Sequence, residues 1–404
     1  MKMNLNPLRL VSFKIIVLFV MISSSAFASD FSFTPSVTTE FRYFPESPAY
    51  DGQLEYFQPL IYFSGEARWI SKDRKKRLRF EPFLRVDVQD DERSHFDVRE
   101  LNYSQRFSNF DLLIGNAQIF WGVAESRNVV DVINQFDEVE NSDETDKLGQ
   151  PLIRFGKFTD IGRFEVYYLP YFRERTFPGG DGRQRGPLPV DLDNAEYDEG
   201  REEWAGDFAL RYQHQIGQFD IGIHVFTGTA RAPFLKSNEE GTSLLPIYQK
   251  LTQGGVDIQR TWDAWLLKLE VVIADQSGDN FISNVLGLEY TFFDFSDSGI
   301  DIGILFEGLY DNRDENKTAS TLFENDIFAG ARFTWNDFQE SELLLGTIID
   351  WETGSMFSSI EYERRIGENM KFEVEAQYFL AQDSEPLAQF ERDSNLTLRL
   401  TRYY

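Results

Sequence analysis

The 404-residue sequence has no cysteine and three histidines, His95, His214 and His224. Beyond its N-terminus it also lacks any apolar run long enough for a membrane-spanning helix. The missing cysteine excludes disulfides, thiolate catalysis and cysteine-based metal sites. No GxSxG, HExxH or phosphate-loop pattern frames the histidines, so nothing marks them as catalytic and no enzyme is expected. Positive charge is scarce: 40 Lys and Arg stand against 67 Asp and Glu, a formal net charge of −27. Such an excess of acid excludes nucleic acid as a partner. By helix-scale hydropathy alone, the rest of the chain would read as soluble.

The first residues read differently. "MKMNLNPLRLVSFK" carries Lys2, Arg9 and Lys14 and no acid, and is followed by "IIVLFVMI" and small residues ending in "AFA". A basic start, a short apolar stretch and an A-x-A site are the parts of a secretory signal peptide, expected to span 1–28. The mature chain is then one domain, 29–404. An exported chain without cysteine crosses an oxidising compartment with no risk of wrong bridges.

What the sequence does have is alternation. In "WLLKLEVVIA", Trp265, Leu267, Leu269, Val271 and Ile273 oppose Lys268 and Glu270. "IDIGILFEGLY" sets Ile300, Ile302, Ile304 and Phe306 against Asp301 and Glu307. "RLRFEPFLRVDVQDD" sets Leu78, Phe80, Leu84 and Val86 against Arg79, Glu81, Arg85 and Asp87. A period of two is the pattern of strands with two unlike faces. It recurs to the last residue in segments of about ten residues, the length of a tilted membrane strand. The expected fold is an all-β transmembrane antiparallel barrel of about 18 strands, with 16 possible.

The linkers sharpen this expectation. Long ones, including 121–149, 173–203 and 231–250, alternate with short ones such as 159–162 and 366–369. That parity suits a barrel with long extracellular loops and short periplasmic turns. All seven tryptophans fall near proposed strand ends, where amphipathic rings form interfacial girdles. Pro35, Pro59, Pro82 and Pro170 lie inside proposed strands, so bulges or strand ends are expected there. The charged face then looks into a watery lumen and the apolar face into lipid.

On these residues the chain resembles a Gram-negative outer-membrane β-barrel of the porin-like kind. Leu396, Leu398 and Leu400 alternate towards the terminal Tyr404, as in the assembly signal of that class, with Arg402 as a departure. "GNAQIFWGVAESRNVVDVINQFD", 115–137, resembles a group of such barrels in which a strand ends in Trp-Gly and a Val-Asp-Val-Ile-Asn run follows. Trp121, Gly122 and 130–134 carry that likeness, whereas Asn116 and Ala117 stand where Arg-Gln is usual. The resemblance implies an integral outer-membrane location, contact with lipopolysaccharide and folding by the barrel-assembly machinery. It also implies a channel for passive or weakly selective diffusion of small hydrophilic solutes. The alternative is a non-conducting barrel acting in surface binding or as an export or assembly partner. Oligomeric state is left open.

Parity nominates Arg68, Arg79, Arg85 and Arg106 on one side of the lumen. Glu289, Asp301 and Glu307 are nominated on the other, as a cross-pore field. By the same parity, Glu307→Gln should change folding little. The acidic runs 137–146 and 191–200 crowd carboxylates but match no EF-hand spacing, so no metal and no cofactor is assigned. Loop 121–149 has too many apolar residues for a loop in water. It is expected either to fold against the barrel wall as a constriction or to cap the neighbouring loops. In the first case Trp121-Gly122 makes the bend and Asp131 and Asn134 look into the lumen.

Overall fold

A computed structural model describes residues 30–404 other than 142–144, 199–201 and 383–384. The proposed signal segment therefore lies outside the described residues. The first strands are β1 (Asp30–Tyr43), β2 (Phe57–Ile70), β3 (Lys76–Asp87), β4 (Phe96–Arg106) and β5 (Phe110–Ala117). Next come β6 (Gln150–Thr159), β7 (Gly162–Leu169), β8 (Glu196–Tyr197), β9 (Asp207–Ile216) and β10 (Phe219–Thr229). They are followed by β11 (Phe234–Ser237), β12 (Leu244–Tyr248), β13 (Lys250–Trp262), β14 (Trp265–Gln276) and β15 (Asp279–Phe292). The chain ends with β16 (Ile300–Asp311), β17 (Asn325–Trp335), β18 (Glu342–Asp350), β19 (Met356–Ile366), β20 (Met370–Leu380) and β21 (Asn395–Tyr403).

Eighteen of these strands form one antiparallel sheet, each paired with its neighbours in the chain. The sheet closes because β1 pairs with β2 on one side and with β21 on the other. Closure leaves no edge with unpaired amides, which is the condition for a sheet to cross lipid. The remaining strands, β8, β11 and β12, form a small sheet within the connections 170–206 and 230–249.

Alternation decides which face goes where. On β14, Ile273 is 63% exposed on the outside while Lys268, Glu270 and Val272 are buried inside. Phe306 and Leu286 are likewise exposed on the exterior, at 56% and 53%. A soluble protein would not present so continuous an apolar surface, whereas a barrel in lipid must. The stretch 77–91 follows the same rule. Leu78 and Val86 are exposed outside, and Arg85 and Asp87 are buried inside.

The long connections lie at one rim, together with the short turns 277–278 and 351–355, and the connections at the other rim are all short. At the long rim are 44–56, 88–95, 118–149, 170–206, 230–249, 312–324 and 381–394. At the short rim are 71–75, 107–109, 160–161, 217–218, 263–264, 293–299, 336–341 and 367–369. The prolines sit where ladder bonding lapses. At Pro82 the β3–β4 register shifts, a β-bulge. Pro59 lies one residue before β2 begins pairing with β3, Pro35 one residue before β1 begins pairing with β21, and Pro170 just beyond β7.

The tryptophans divide. Trp69, Trp262, Trp265 and Trp335 are at the short-turn rim, and Trp204 and Trp351 are exposed at the long-loop rim. Trp121 departs from the girdle expectation. Strand β5 stops at Ala117, and the Trp121 ring is buried inside the barrel.

Candidate functional site in the barrel lumen

Connection 118–149 folds into the lumen. It leaves β5, crosses to β14–β16, returns to β6–β10 and then passes along β1, β3, β4 and β20. Its backbone amides are held by two inward-facing glutamates. Val123 and Ala124 donate to Glu270 Oε1 at 2.6 and 2.9 Å, and Val130 donates to Oε2 at 3.3 Å. Glu125 and Ser126 donate to the two Glu307 oxygens, each at 2.8 Å, and the Ser126 hydroxyl donates to Oε2 at 2.5 Å. Buried amides need acceptors, and a carboxylate is the strongest the side chains offer. Glu270 is 0% exposed, so the loop takes the place of water around it.

The rest of the loop is tied as closely. The Glu125 carboxylate accepts from Arg332 at 2.6 Å and from Lys268 at 3.3 Å. Asn141 donates to Glu375 Oε1 at 2.7 Å and accepts from Gln377 at 3.1 Å. Glu140 pairs with Arg85 and lies 3.4 Å from Arg99, which is 3.1 Å from Asp137. His95, Asp137 and Glu140 bring possible metal-ligand atoms within 4.8 Å of one another. The Arg99 guanidinium already supplies positive charge at that point, so the group reads as an ion-pair cluster and not as a metal centre.

Under the loop lies an apolar seat. Val130, Val132 and Ile133 pack with Trp121 against inward residues such as Leu152, Tyr167, Phe226, Val272 and Ala274. Trp121 meets Tyr167 edge-on with ring centroids 5.6 Å apart, lies 5.0 Å from the His224 ring, and carries the Arg211 guanidinium 4.8 Å from its ring centroid. Gly122 has φ +140°, a conformation that glycine adopts freely, and a Cβ there would strike the Asn128 side chain. The sequence held a signal for this seat. A lumen filled with water has no use for Val272, Ala274 or Phe226 at inward parity.

The loop divides the lumen into cavities. On the long-loop side a cavity of about 310 Å³ is lined by Phe120, Asp131, Phe136, Arg185 and Phe323 among others. Two others lie on the short-turn side. One, of about 530 Å³, is lined by Arg68, Arg77, Arg79, Arg106, Arg154 and Arg163. The other, of about 550 Å³, is lined by Glu342, Glu361, Glu363, Glu373, Glu375 and Asp146. Glu125 and Thr145 line both the outer cavity and this acidic one. They stand at the neck between the two.

The nominated residues divide accordingly. Arg68, Arg79 and Arg106 line the basic cavity, as their parity required. Arg85 instead lines the acidic cavity, buried against Glu140. Glu289 faces Lys268 at 3.6 Å and Arg332 at 3.9 Å, and Asp301 accepts the Asp294 amide near the short-turn rim. Glu307 accepts loop amides, a role that parity alone did not give it. Asp131 lines the outer cavity in an ion pair with Lys147. Asn134 does not look into the lumen. It is 1% exposed and internal to the loop, donating to the Ala117 and Leu148 carbonyls at 2.9 and 2.8 Å. The acidic wall of β18–β20 and the anchor Glu270 were missed, because parity marks a face without saying which carboxylates stay free.

Burial affects the loop's own titration. Asp146 is pushed up to about 6, first by desolvation and then by Glu140, while Arg99 pulls the other way.

No protein-family model matches the sequence, and no curated protein matches it. Solved structures do. OccAB1 of Acinetobacter baumannii superposes with a TM-score of 0.55 at 7% identity, over 94% of this chain and 97% of that one. OpdQ of Pseudomonas aeruginosa superposes at 0.54 and 9% identity, over 93% and 97%. OccAB4 of Acinetobacter baumannii gives 0.52 and 8%, also over 93% and 97%. At these identities the likeness is one of fold, and the fold is that of an integral outer-membrane β-barrel.

Proposed function

We propose that the chain is a porin-like channel of a Gram-negative outer membrane, admitting small hydrophilic solutes by passive or weakly selective diffusion. The observation that carries this reading is the loop 118–149 folded inside the barrel, with cavities above and below it that share Glu125 and Thr145. A barrel of this strand number encloses an aqueous lumen unless loops plug it. Here the loop narrows the lumen and leaves a polar neck. In this reading the long-loop rim faces outward, where it meets lipopolysaccharide, and the short-turn rim faces the periplasm. Residues 1–28 direct export. The alternating leucines of β21, the strand that closes the barrel against β1, are the signal for the barrel-assembly machinery. The Trp121-Gly122 stretch belongs to the same proposal, as a constriction segment of the kind its resemblance implies.

The two walls on the short-turn side support weak selectivity over none. Lined clefts of opposite sign set up a transverse field, and such a field orients and sorts charged solutes. The test is single-channel recording of the refolded mature chain in planar bilayers, with reversal potentials under a salt gradient. Discrete ohmic conductance is the expected result. A folded barrel that stays silent would return the surface-binding reading.

A further inference from the structure

The outer and acidic cavities meet through a further one, of about 90 Å³, on the wall of β17–β20. Leu322 and Phe323 line it and the outer cavity alike, and Leu344 and Glu361 line it and the acidic one. Among the described residues, the basic cavity shares no lining residue with these three. The connected route past the loop therefore leads to the acidic wall, and its surface on the way is aromatic. Phe323 and Phe357 are half-buried with ring centroids 6.2 Å apart, and the Phe357 ring lies 5.1 Å from that of Phe379. Phe328 lines the same cavity, and a Cβ at Gly330 or Gly346 would come within 2.7 or 2.6 Å of its ring. Two glycines facing each other across β17 and β18 thus leave the room that this ring occupies.

At the inner end of these rings stands Glu361, whose carboxylate has no ion pair within 4.0 Å and no hydrogen bond among the described residues. The β19–β20 register sets it opposite Glu375, and like charges in that position repel. Glu125 acts on it with the same sign, and Arg399 and Arg332 act in the opposite sense. Arg399 lies 2.7 and 2.8 Å from Glu40 and Glu375, and Arg332 lies 2.6 and 3.2 Å from Glu125 and Glu342. The lining of the acidic cavity holds eight carboxylates and three guanidiniums, and Lys371 pairs with two of the eight. The balance stays negative, and the Glu361 carboxylate makes no ion-pair contact with the wall. Phe357, Ser359 and Glu361 line the aromatic cavity from one face of β19. Ring and carboxylate are thus rooted roughly 13 Å apart along the strand, a gap that both side chains shorten by reaching into the lumen.

We propose that the aromatic cavity and Glu361 form a binding site for a small organic ammonium ion that carries an aromatic ring. The inference rests on the channel reading for the route through the barrel and not for the binding itself. Ligand cavities are mostly apolar, with a few polar groups that fix orientation. Here the rings of Phe323 and Phe357 receive the ring of the ligand, and their electron-rich faces also attract its cation. Glu361 accepts from the ammonium in a charge-assisted hydrogen bond, which offsets the water the ammonium gives up. A ring and an ammonium joined by two or three carbons reach from one end of the site to the other. An anion of the same shape meets the like charges of Glu361 and Glu375, and an alkylammonium without a ring leaves the phenylalanines unused. Discrimination thus comes from both ends of the site. From Glu361 the excess of acid on β18–β20 draws the ion towards the short-turn side.

The experiment is titration calorimetry of 2-phenylethylammonium chloride into the folded mature barrel in a neutral detergent, with empty micelles as the blank. Saturable binding is expected. Phenylacetate, with the ring and the opposite charge, and ethylammonium, with the charge and no ring, should each bind at least about tenfold more weakly. Glu361→Gln should weaken binding of 2-phenylethylammonium about tenfold. Phe357→Leu keeps the bulk and removes the ring, and should weaken it about threefold, while Glu239→Gln in an exposed loop leaves it unchanged. In planar bilayers the same ion should interrupt the KCl current of the wild type in a saturable way, and that of Glu361→Gln only at higher concentration. A folded wild type with no saturable binding, equal affinity for the three compounds, or wild-type affinity in Glu361→Gln would overturn the site. A barrel that binds with the expected dependence on Glu361 yet stays silent in KCl would uphold the site and overturn the channel reading instead.

Discussion

Beneath the folded loop the lumen has two walls made from the same strand pattern with opposite signs. On the wall of β2–β7 arginines dominate, yet acids stand in register with them. Arg79 alone lies within 2.8, 2.9 and 3.3 Å of Glu66, Glu81 and Glu100. On the wall of β18–β20 glutamates dominate, with Lys371 at 2.8 and 3.0 Å from Glu363 and Glu373. Each wall is thus partly neutralised from within, and what remains is an excess and not a pure charge. The difference teaches that alternation fixes only the polarity of an inward face. The sign is set by which strands carry which residues, and a field exists because the closed barrel brings unlike strands face to face.

The largest expected effect comes from removing the partition above both walls. Replacing 124–147 with a short Gly/Ser linker should raise single-channel conductance several-fold and admit larger solutes in liposome swelling. If the barrel folds and conducts no more than the parent, the loop is not what narrows it.

The next variants address the loop's attachment. Glu270→Gln or Glu307→Gln weakens charge-assisted bonds to the loop amides, and each should cost roughly 1.5–3 kcal/mol of loop anchoring. Hydrogen exchange of the amides at 123–130 reads this directly. Protection equal to that of wild type would show that the apolar seat of Val130 and Ile133 holds the loop unaided.

A more even test sets one wall against the other. Arg68→Gln with Arg106→Gln should move reversal potentials towards cations, and Glu361→Gln with Glu363→Gln should move them towards anions. Opposite shifts sharpen the comparison. No shift from either pair would reduce both walls to polar filler.

The smallest expected effect is pH dependence. Asp146 titrates near 6 in the folded loop, above its ordinary value of 3.8. The folded state therefore binds the proton more tightly than the unfolded one between those values. Anchoring should strengthen as pH falls through about 6 and be weakest above it. Current fluctuations recorded between about pH 7 and pH 5 should diminish in the parent through this group. Asp146→Asn should remove that part of the dependence. An unaltered pH profile in the variant would assign the effect to another group.

Much of this molecule was legible in its residues. The period of two along 265–274 or 300–306 is local, because adjacent side chains on a strand point to opposite faces whatever lies elsewhere. That is why strand number, lipid face, the alternation of long and short connections, and the bulge at Pro82 could be read without coordinates. Linker 121–149 announced by its valines and isoleucine that it was buried. Its address was another matter. The Val123 amide meets Glu270 across 147 residues, Glu125 meets Glu307 across 182, and Asn141 meets Glu375 across 234. No local pattern encodes such pairings. Closure of the barrel decided that Glu270 and Glu307 hold a loop, that Asn134 turns inward to its own loop, and that Trp121 leaves the membrane interface for the lumen. Only the closed ring decided which charges face each other across water.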